Sequence, residues 1–571
     1  MPVSNKEITG LLNEIADLLD IRGENQFRVR SYRTAANTIA GLTGNITQMS
    51  DDEIKSLPDI GESIAKKIRE VSDTGSISQL DKLRSEIPES LIEIMKLEQM
   101  GPRRTRVLNE ELNIESLEEL KKAAEEGKIE KLEGFGKKTI ENILKEIKEY
   151  YRKGGLERFK LNEAEEIVTP LLEYLGKEIK DIKVAGSYRR RKETVGDIDI
   201  LGTSNNPGKS MDHFVKYEEV KEITVKGKSK SSVKLRTGLQ VDLRIVQKKS
   251  FGAALLYFTG SKAHNITLRK AGQGKGYKIN EYGIYKDNKF LAGKTEKEMY
   301  RKLGLSYIEP ELRENNGEID SARRGQLPDL VDINDIRGDL QAHTNATDGN
   351  NSLEEMAKAA KKLGYEYLAV TDHSKKVSVA GGLDEKELAG QIEEINKLNQ
   401  GIKNFRILKS VEVDILKDGS LDLDDVILKE LDLVICAIHS NMNLPEKKQT
   451  NRILRAMENP HFNILAHPTG RMIGKRSGYE INMDQIMNKA KERGCFLEIN
   501  SNPDRLDLSD RYIRQAEETG LKLAISTDAH STVTLENMKY GVAQARRGWL
   551  KKDDVINTRS WKDLEKLLKK S

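Results

Sequence analysis

Seven apolar, strand-like runs between residues 339 and 530 each carry side chains that can bind a metal, and helical stretches separate them. The runs at 339–343 and 368–373 end in His343, with Asp348 shortly after, and in Asp372-His373. The runs at 411–414 and 433–439 carry Glu412, Asp414 and His439. The last three, at 463–468, 496–500 and 523–530, carry His467, Glu498, Asp528 and His530. Strands alternating with helices build a parallel sheet, and in a barrel the C-terminal strand ends meet on one face. A single histidine after an apolar strand is usually an ordinary core residue. Five of the chain's eight histidines share this placement beside Asp and Glu, which a core does not explain. Imidazole and carboxylate together suit Mn²⁺ or Zn²⁺ better than Mg²⁺ alone.

A second set of carboxylates lies upstream, in Gly196-Asp197-Ile198-Asp199-Ile200 and Val241-Asp242-Leu243-Arg244. Side chains alternate along a strand, so Asp197 and Asp199 share a face. If the second run pairs alongside, Asp242 joins them, and the three charges repel and raise one another's pKa. Hard cations such as Mg²⁺ relieve that repulsion, and two of them can clamp the attacking and leaving oxygens of a phosphoryl transfer. Alone, Asp-x-Asp is as compatible with a solvated strand. The preceding Gly186-Ser187, with Arg189 and Arg190, adds the hydroxyl, N–H and guanidinium donors that a triphosphate tail needs.

Residues 1–150 read as mostly helical, with amphipathic spacing at Ile8, Leu11, Leu12, Ile15, Leu18 and Leu19. A glycine turn opening a helix recurs three times, at Leu57-Pro58-Asp59-Ile60-Gly61, Gln99-Met100-Gly101 and Glu133-Gly134-Phe135-Gly136. Helix starts offer unpaired N–H groups and a positive dipole end, and glycine admits a phosphate closely. Such contacts hold a nucleic-acid backbone without reading its sequence. Basic pairs follow two of the glycines (Arg103-Arg104 and Lys137-Lys138), whereas Asp59 and Glu62 suggest that the first copy is partly structural. With 96 basic and 92 acidic residues, any nucleic-acid surface must come from such local patches. Cys436 and Cys495 lie in apolar runs and are expected as buried thiols. No window approaches the roughly 20 apolar residues of a membrane span. The N-terminus has no signal-peptide core. A soluble, cytoplasmic protein without membrane contact is expected.

The glycine turns resemble helix-hairpin-helix motifs. Together with the aspartates, Tyr257-Phe258-Thr259-Gly260-Ser261, Asn265, Arg269 and the stretch 276–284 resemble the family X DNA polymerases, small gap-filling repair enzymes, across residues 1–315. Residues 333–571, including the stretches 379–384 and 498–503, resemble the PHP (polymerase and histidinol phosphatase) domain, a barrel of about seven strands. The resemblance implies a multidomain chain. Helical helix-hairpin-helix domains would span 1–90 (lyase-like) and 91–150, and an α/β nucleotidyltransferase palm 151–245. A nucleotide-selection subdomain would follow at 246–315, then a linker at 316–332 and an α/β PHP barrel at 333–571.

The same resemblance implies site roles. Asp197, Asp199 and Asp242 would hold two Mg²⁺ ions, with Asp242 helping to activate the primer hydroxyl. Ser187 and Arg190 would contact the triphosphate, and Tyr257, Phe258 and Gly260 would line the sugar pocket. Asn265 would touch the base in the minor groove and Arg269 the template side, while Gly61, Gly101 and Gly136 would meet the DNA backbone. His343, Asp348, His373, Glu412, His439, His467, Asp528 and His530 would hold up to three Mn²⁺ or Zn²⁺ ions. Lys67 lines up with a lyase lysine used in base excision repair, which must be neutral to form a Schiff base. The pattern Lys66, Lys67, Arg69 is also that of a solvated helix face.

The expected protein is a monomeric DNA-directed DNA polymerase. It would add dNTPs to gapped or primer-template DNA and carry a metal-dependent 3′→5′ exonuclease or 3′-end-processing activity. The alternatives are a template-independent terminal transferase, or a polymerase fused to an inactive or small-molecule phosphatase barrel. One departure stands out. The PHP pattern often begins His-x-His, and Gln341 occupies the first position, so one metal is expected to be weak or absent.

Overall fold

The helix Asn5–Ile21 turns Ile8, Leu12, Ile15, Leu18 and Leu19 inward, the stripe that its sequence spacing predicts. Its neighbour Gln26–Ala40 buries Tyr32, Ala35, Ala36 and Ile39 against it. The computed structural model describes residues 5–40, 42, 46–74, 77–95, 97, 100–132, 134–152 and 158–569. Gln99 and Glu133, the first residues of two glycine repeats, lie outside them. The chain divides into two units: Met1–Glu157 with Lys262–Lys278, and Arg158–Ser261 with Ile279–Ser571.

In the first unit every glycine repeat opens a helix. Gly61 precedes Glu62–Thr74, Gly101 is the N-cap of Pro102–Leu112, and Gly136 precedes Lys137–Arg152. The chain reverses through left-handed residues two positions before two of these glycines, Asp59 (φ 61°) and Gly134 (φ 90°).

The second unit begins with a five-stranded sheet in the order Lys180–Val184, Asp197–Thr203, Gln240–Ile245, Lys230–Leu235, Val220–Lys226. Ile198, Ile200, Val241 and Leu243 join a buried cluster with Val168 and Leu171 of the helix Leu161–Leu175 and with Phe214 of Pro207–Phe214. The alternating aspartates are thereby left on the other face. Along 316–332, expected as an irregular linker, Glu318–Arg324 forms a short helix between left-handed Gly317 and Gly325 and buries Glu318, Ile319 and Ala322. Two turns are too few to give a periodic sequence signal.

Seven parallel strands follow in sequential order: Gly338–Ala342, Tyr367–Val370, Arg406–Asp414, Leu433–Ala437, Ile464–Leu465, Phe496–Asn500 and Leu523–Ser526. The first and last nearly close the ring. Ala342 bridges Ala529, and His343 N–H donates to the Ala529 carbonyl at 2.8 Å. Leu340, Tyr367, Leu408, Ile435 and Ile464 form one apolar cluster, onto which the last helix, Trp561–Leu568, presses Leu564 and Leu568. The barrel is therefore packed with side chains, and its chemistry is confined to the strand ends. Both cysteines are buried and remain thiols. Among the described residues no helix is long and apolar enough to cross a membrane.

Candidate active sites

The strands Asp197–Thr203 and Gln240–Ile245 pair in parallel with Asp199 directly opposite Asp242 and Asp197 opposite Gln240. All three expected carboxylates therefore rise on one face of the palm sheet. Burial, then Asp197 and Asp242, push the Asp199 carboxyl up to about 7, against the pull of Arg244 and Lys230. Burial and Asp242 raise Asp197 as well. Asp242 Oδ2 lies 3.4 Å from both Lys230 Nζ and Arg244 Nη2. Among the described residues, the groups with ligand atoms drawn within 4.8 Å of one another all lie in the barrel, so the palm trio is spread more widely.

Gly186 has φ +64°, and a Cβ there would lie 3.3 Å from Asp199 Oδ2. Glycine at this turn lets Ser187 and the short helix Gly186–Arg189 stand directly beside the carboxylates. Arg190 is engaged elsewhere: Nε donates to Glu314 at 2.9 Å and Nη1 to the Thr259 carbonyl at 2.7 Å. Tyr257 and Phe258 meet edge to face at 5.1 Å, and Arg244 stacks 4.4 Å from the Phe258 ring. Gly260 ends the helix Phe251–Thr259. Asn265 and Arg269 lie one turn apart on Lys262–Gln273, in the first unit, where Arg269 Nε donates to the Asn265 carbonyl at 3.3 Å.

The proton on Asp199 competes with any cation at the palm. The divalent-ion concentration needed to fill this site is therefore expected to rise by up to about tenfold per pH unit below about 7. Half-saturating Mg²⁺ that stays constant from about pH 6 to about pH 8 would contradict this. The folded carboxyl holds its proton up to about 7, whereas its ordinary value is 3.8. Above about 7 the group therefore weakens the fold, and the penalty fades as pH falls toward the lower value.

In the barrel, the third strand sets Glu412 at the centre. Its Oε2 lies 3.4 Å from His343 Nε2 and 3.2 Å from His373 Nδ1. Its Oε1 lies 3.4 Å from His439 Nε2 and 3.0 Å from His467 Nε2. Asp528 approaches His343 Nε2 at 3.1 Å, and Asp348 approaches His373 at 3.4 Å and His530 at 3.3 Å. Every expected barrel ligand thus enters one constellation. Burial opposes charge on these groups, but the imidazoles hold Glu412 well below the usual carboxylate range. Against the same burial, Glu412 and Asp414 carry His439 up to about 10, and Asp348 and Asp528 carry His530 up to about 9. His467 is lowered by burial and by nearby Arg505.

Three groups offer the imidazole and carboxylate atoms that a divalent ion takes: His343, Asp348, His373, His530; His373, Glu412, His439; and His343, Glu412, Asp528. Gln341 is fully buried, and neither its Oε1 nor its Nε2 has a hydrogen-bond partner. An orphaned amide at the end of a ligand-bearing strand fits a cation or water position.

Asp414 and Glu498, read from the sequence only as metal-capable side chains, and Asn500 hold these ligands in place. Asp414 accepts from the His439 backbone N–H and contacts its Nδ1 at 3.1 Å. Glu498 accepts from the His467 backbone N–H, and Asn500 Nδ2 donates to both Glu498 and Asp528. The Asp414 contact fixes the orientation of the His439 ring, while Glu498 anchors the backbone at His467. Their only sequence signal was their position in the same strand-end runs.

Lys67, on Glu62–Thr74, borders a cleft of about 470 Å³ with Glu62, Ser63, Lys66 and Glu70. Its Nζ donates to Ser63 Oγ at 3.0 Å and lies 5.8 Å from the Tyr32 ring centre.

Profiles of known families match between residues 3 and 502. They are a helix-hairpin-helix domain (3–77), a SAM-like helix-hairpin-helix tandem (89–149), the DNA polymerase beta palm (157–268) and thumb (254–314), and a PHP domain (339–502). The carboxylate palm joined to a barrel with a polynuclear donor cluster defines a class, and the chain belongs to it: the family X DNA polymerases with a C-terminal PHP domain. The chain is 40% identical to the DNA polymerase/3′-5′ exonuclease PolX of Bacillus subtilis (strain 168) over 572 residues, covering 99% of each chain. It is 30% identical to a probable phosphatase of Thermoanaerobacter sp. (strain X514) over 38% of this chain and 90% of the relative. A probable phosphatase of Clostridium acetobutylicum is 29% identical over 35% of this chain and 81% of the relative.

Proposed function

We infer that this protein fills short DNA gaps by templated addition of dNTPs at its palm and trims 3′ ends at its barrel. The register that sets Asp242 opposite Asp199 carries the reading, because it gathers three carboxylates where a triphosphate and a primer end can meet. Two Mg²⁺ ions bound there would neutralise charge on the transferring phosphoryl group. Asp242 takes the proton of the primer hydroxyl, Ser187 and Arg190 hold the triphosphate tail, and Tyr257, Phe258 and Gly260 form the sugar platform. Asn265 and Arg269 read the base pair and the template strand. In the barrel, Mn²⁺ or Zn²⁺ held by the eight ligands would supply Lewis acidity toward a phosphodiester. Asp414 orients the His439 ring there, and Glu498 holds the His467 backbone. In this reading the chain works as a monomer, with domains 1–90, 91–150, 151–245, 246–315 and 333–571.

The glycine turns supply the grip on DNA. A Cβ at Gly61, Gly101 or Gly136 would meet nothing within 4 Å, so the fold itself does not demand glycine there. Close approach by a phosphate does. Lys67 is assigned the lyase step on a 5′ abasic sugar phosphate, as base excision repair requires.

A one-nucleotide gapped duplex tests these assignments together. Extension is expected to be faster on the gap than on a lone single strand, and the reverse order would favour a terminal transferase. Gly136→Val is expected to weaken binding to the gapped duplex on the order of fivefold without changing the melting temperature. A 5′ abasic end on the same duplex is expected to be trapped on Lys67 by borohydride; trapping elsewhere, or none, removes the lyase assignment.

A further inference from the structure

Arg190 shares its carboxylate partner with a residue of the barrel. Glu314 Oε1 accepts from Arg190 Nε at 2.9 Å and from Arg547 Nη1 at 3.1 Å. Arg547 ends the barrel helix Met538–Arg547 and is almost wholly buried. Its Nε and Nη2 donate to Asp510 Oδ2 at 3.0 and 2.5 Å, and its Nη1 also donates to the Arg190 backbone carbonyl at 2.8 Å. Alternating charges thus run from the palm to the barrel as Arg190, Glu314, Arg547, Asp510. Burial works against the Glu314 charge, but Lys192, Arg190 and Arg547 bring its carboxyl down to about 2, so it is an anion at every working pH. Around this line the same helix joins palm and thumb: Tyr540 donates to Glu165, Gln544 to Glu193 and Arg546 to Glu311.

We propose that Arg547 is a positioning residue for the polymerase site, and that by sharing Glu314 it limits the hold of that carboxylate on Arg190 and so sets the affinity for the incoming nucleotide. This rests on the reading that Arg190 meets the triphosphate. A carboxylate divided between two guanidiniums binds each less tightly than one committed to a single partner. Removing the Arg547 charge concentrates Glu314 on Arg190, and the triphosphate then has to compete with a stronger internal anion. Removing the Glu314 charge does the opposite. Because the three groups touch, their substitutions are coupled rather than additive.

The test is single-turnover incorporation of one dNTP into gapped DNA by the full chain, which separates the dNTP dissociation constant from the incorporation rate. Arg547→Met is expected to weaken dNTP binding about fivefold with little change in rate, and Arg547→Lys to stay close to wild type. Glu314→Gln, which keeps an acceptor for Arg547, is expected to tighten dNTP binding about threefold, and adding Arg547→Met to it should produce no further weakening. Arg190→Gln serves as the reference and is expected to weaken binding at least about tenfold. If Arg190→Gln leaves the dissociation constant unchanged, the triphosphate reading of Arg190 fails and the proposal goes with it. If Arg190→Gln weakens binding while Glu314→Gln does not change it, the proposal alone is overturned, and this holds even if Arg547→Met does not fold. Equal weakening by Arg547→Met with and without Glu314→Gln also overturns it.

Discussion

Asp242→Ala is expected to slow gap filling by on the order of 10³-fold or more while leaving 3′ degradation within about twofold of wild type. Asp242 stands opposite Asp199 across the parallel pair and is held by Lys230 and Arg244 at 3.4 Å, so it is a fixed part of the palm's anionic face. In the proposed function, its loss would take a shared ligand from the palm cations and the proton acceptor from the primer hydroxyl. The fold should survive, because Val241 and Leu243, on the buried face of the same strand, are untouched. One like charge fewer also relieves Asp199, whose carboxyl sits at about 7. The two activities are read on one gapped duplex, synthesis with dNTPs and Mg²⁺, and degradation without dNTPs in Mn²⁺. Synthesis within about tenfold of wild type, or loss of both activities together, would sink the assignment of separate sites.

Glu412→Gln is expected to have the mirror-image effect. Four imidazoles converge on the two oxygens of Glu412, and the residue is 1% exposed. The amide preserves volume but removes the charge, and its NH₂ group points a donor where a cation's ligand atom must be. Loss of at least one divalent ion per chain by elemental analysis is expected, with 3′→5′ degradation down on the order of 10³-fold and gap filling preserved. Undiminished metal content would count decisively against a bridging role. The same change removes the Glu412 share of the attraction that, with Asp414, lifts His439 to about 10. That attraction stabilises the fold fully below the ordinary histidine pKa and is lost as pH rises through about 10. The variant is therefore expected to melt lower than the metal-stripped wild type at neutral pH, with the difference narrowing as pH rises through about 10.

Much of the chemistry was legible in the chain because strand and helix periods are local properties. The two-residue period put Asp197 and Asp199 on one face, and the strand–helix alternation put His343, His373, His439, His467 and His530 at equivalent strand ends. Glycine turns marked three helix starts in the first unit. All of this follows from backbone geometry that a few residues dictate. Register was another matter. Asp242 faces Asp199 only because strands far apart in sequence slide to that pairing, and a slip of one residue would have turned it into the core.

The rest was decided by packing over long distances. Glu412 was one ligand among eight in the sequence, and only barrel closure made it the residue on which four imidazoles meet. Gln341 was a substitution on paper, and burial made it an amide without partners. Arg190 looked available for a triphosphate, yet the fold binds it to Glu314, and through Glu314 to a barrel residue 357 positions away. The sequence by itself determined which residues carry charge and which faces they share, since those depend on covalent spacing. The tertiary structure decided which charges meet, because electrostatic pairing depends on distance through space and on burial, and neither is written in the order of the residues.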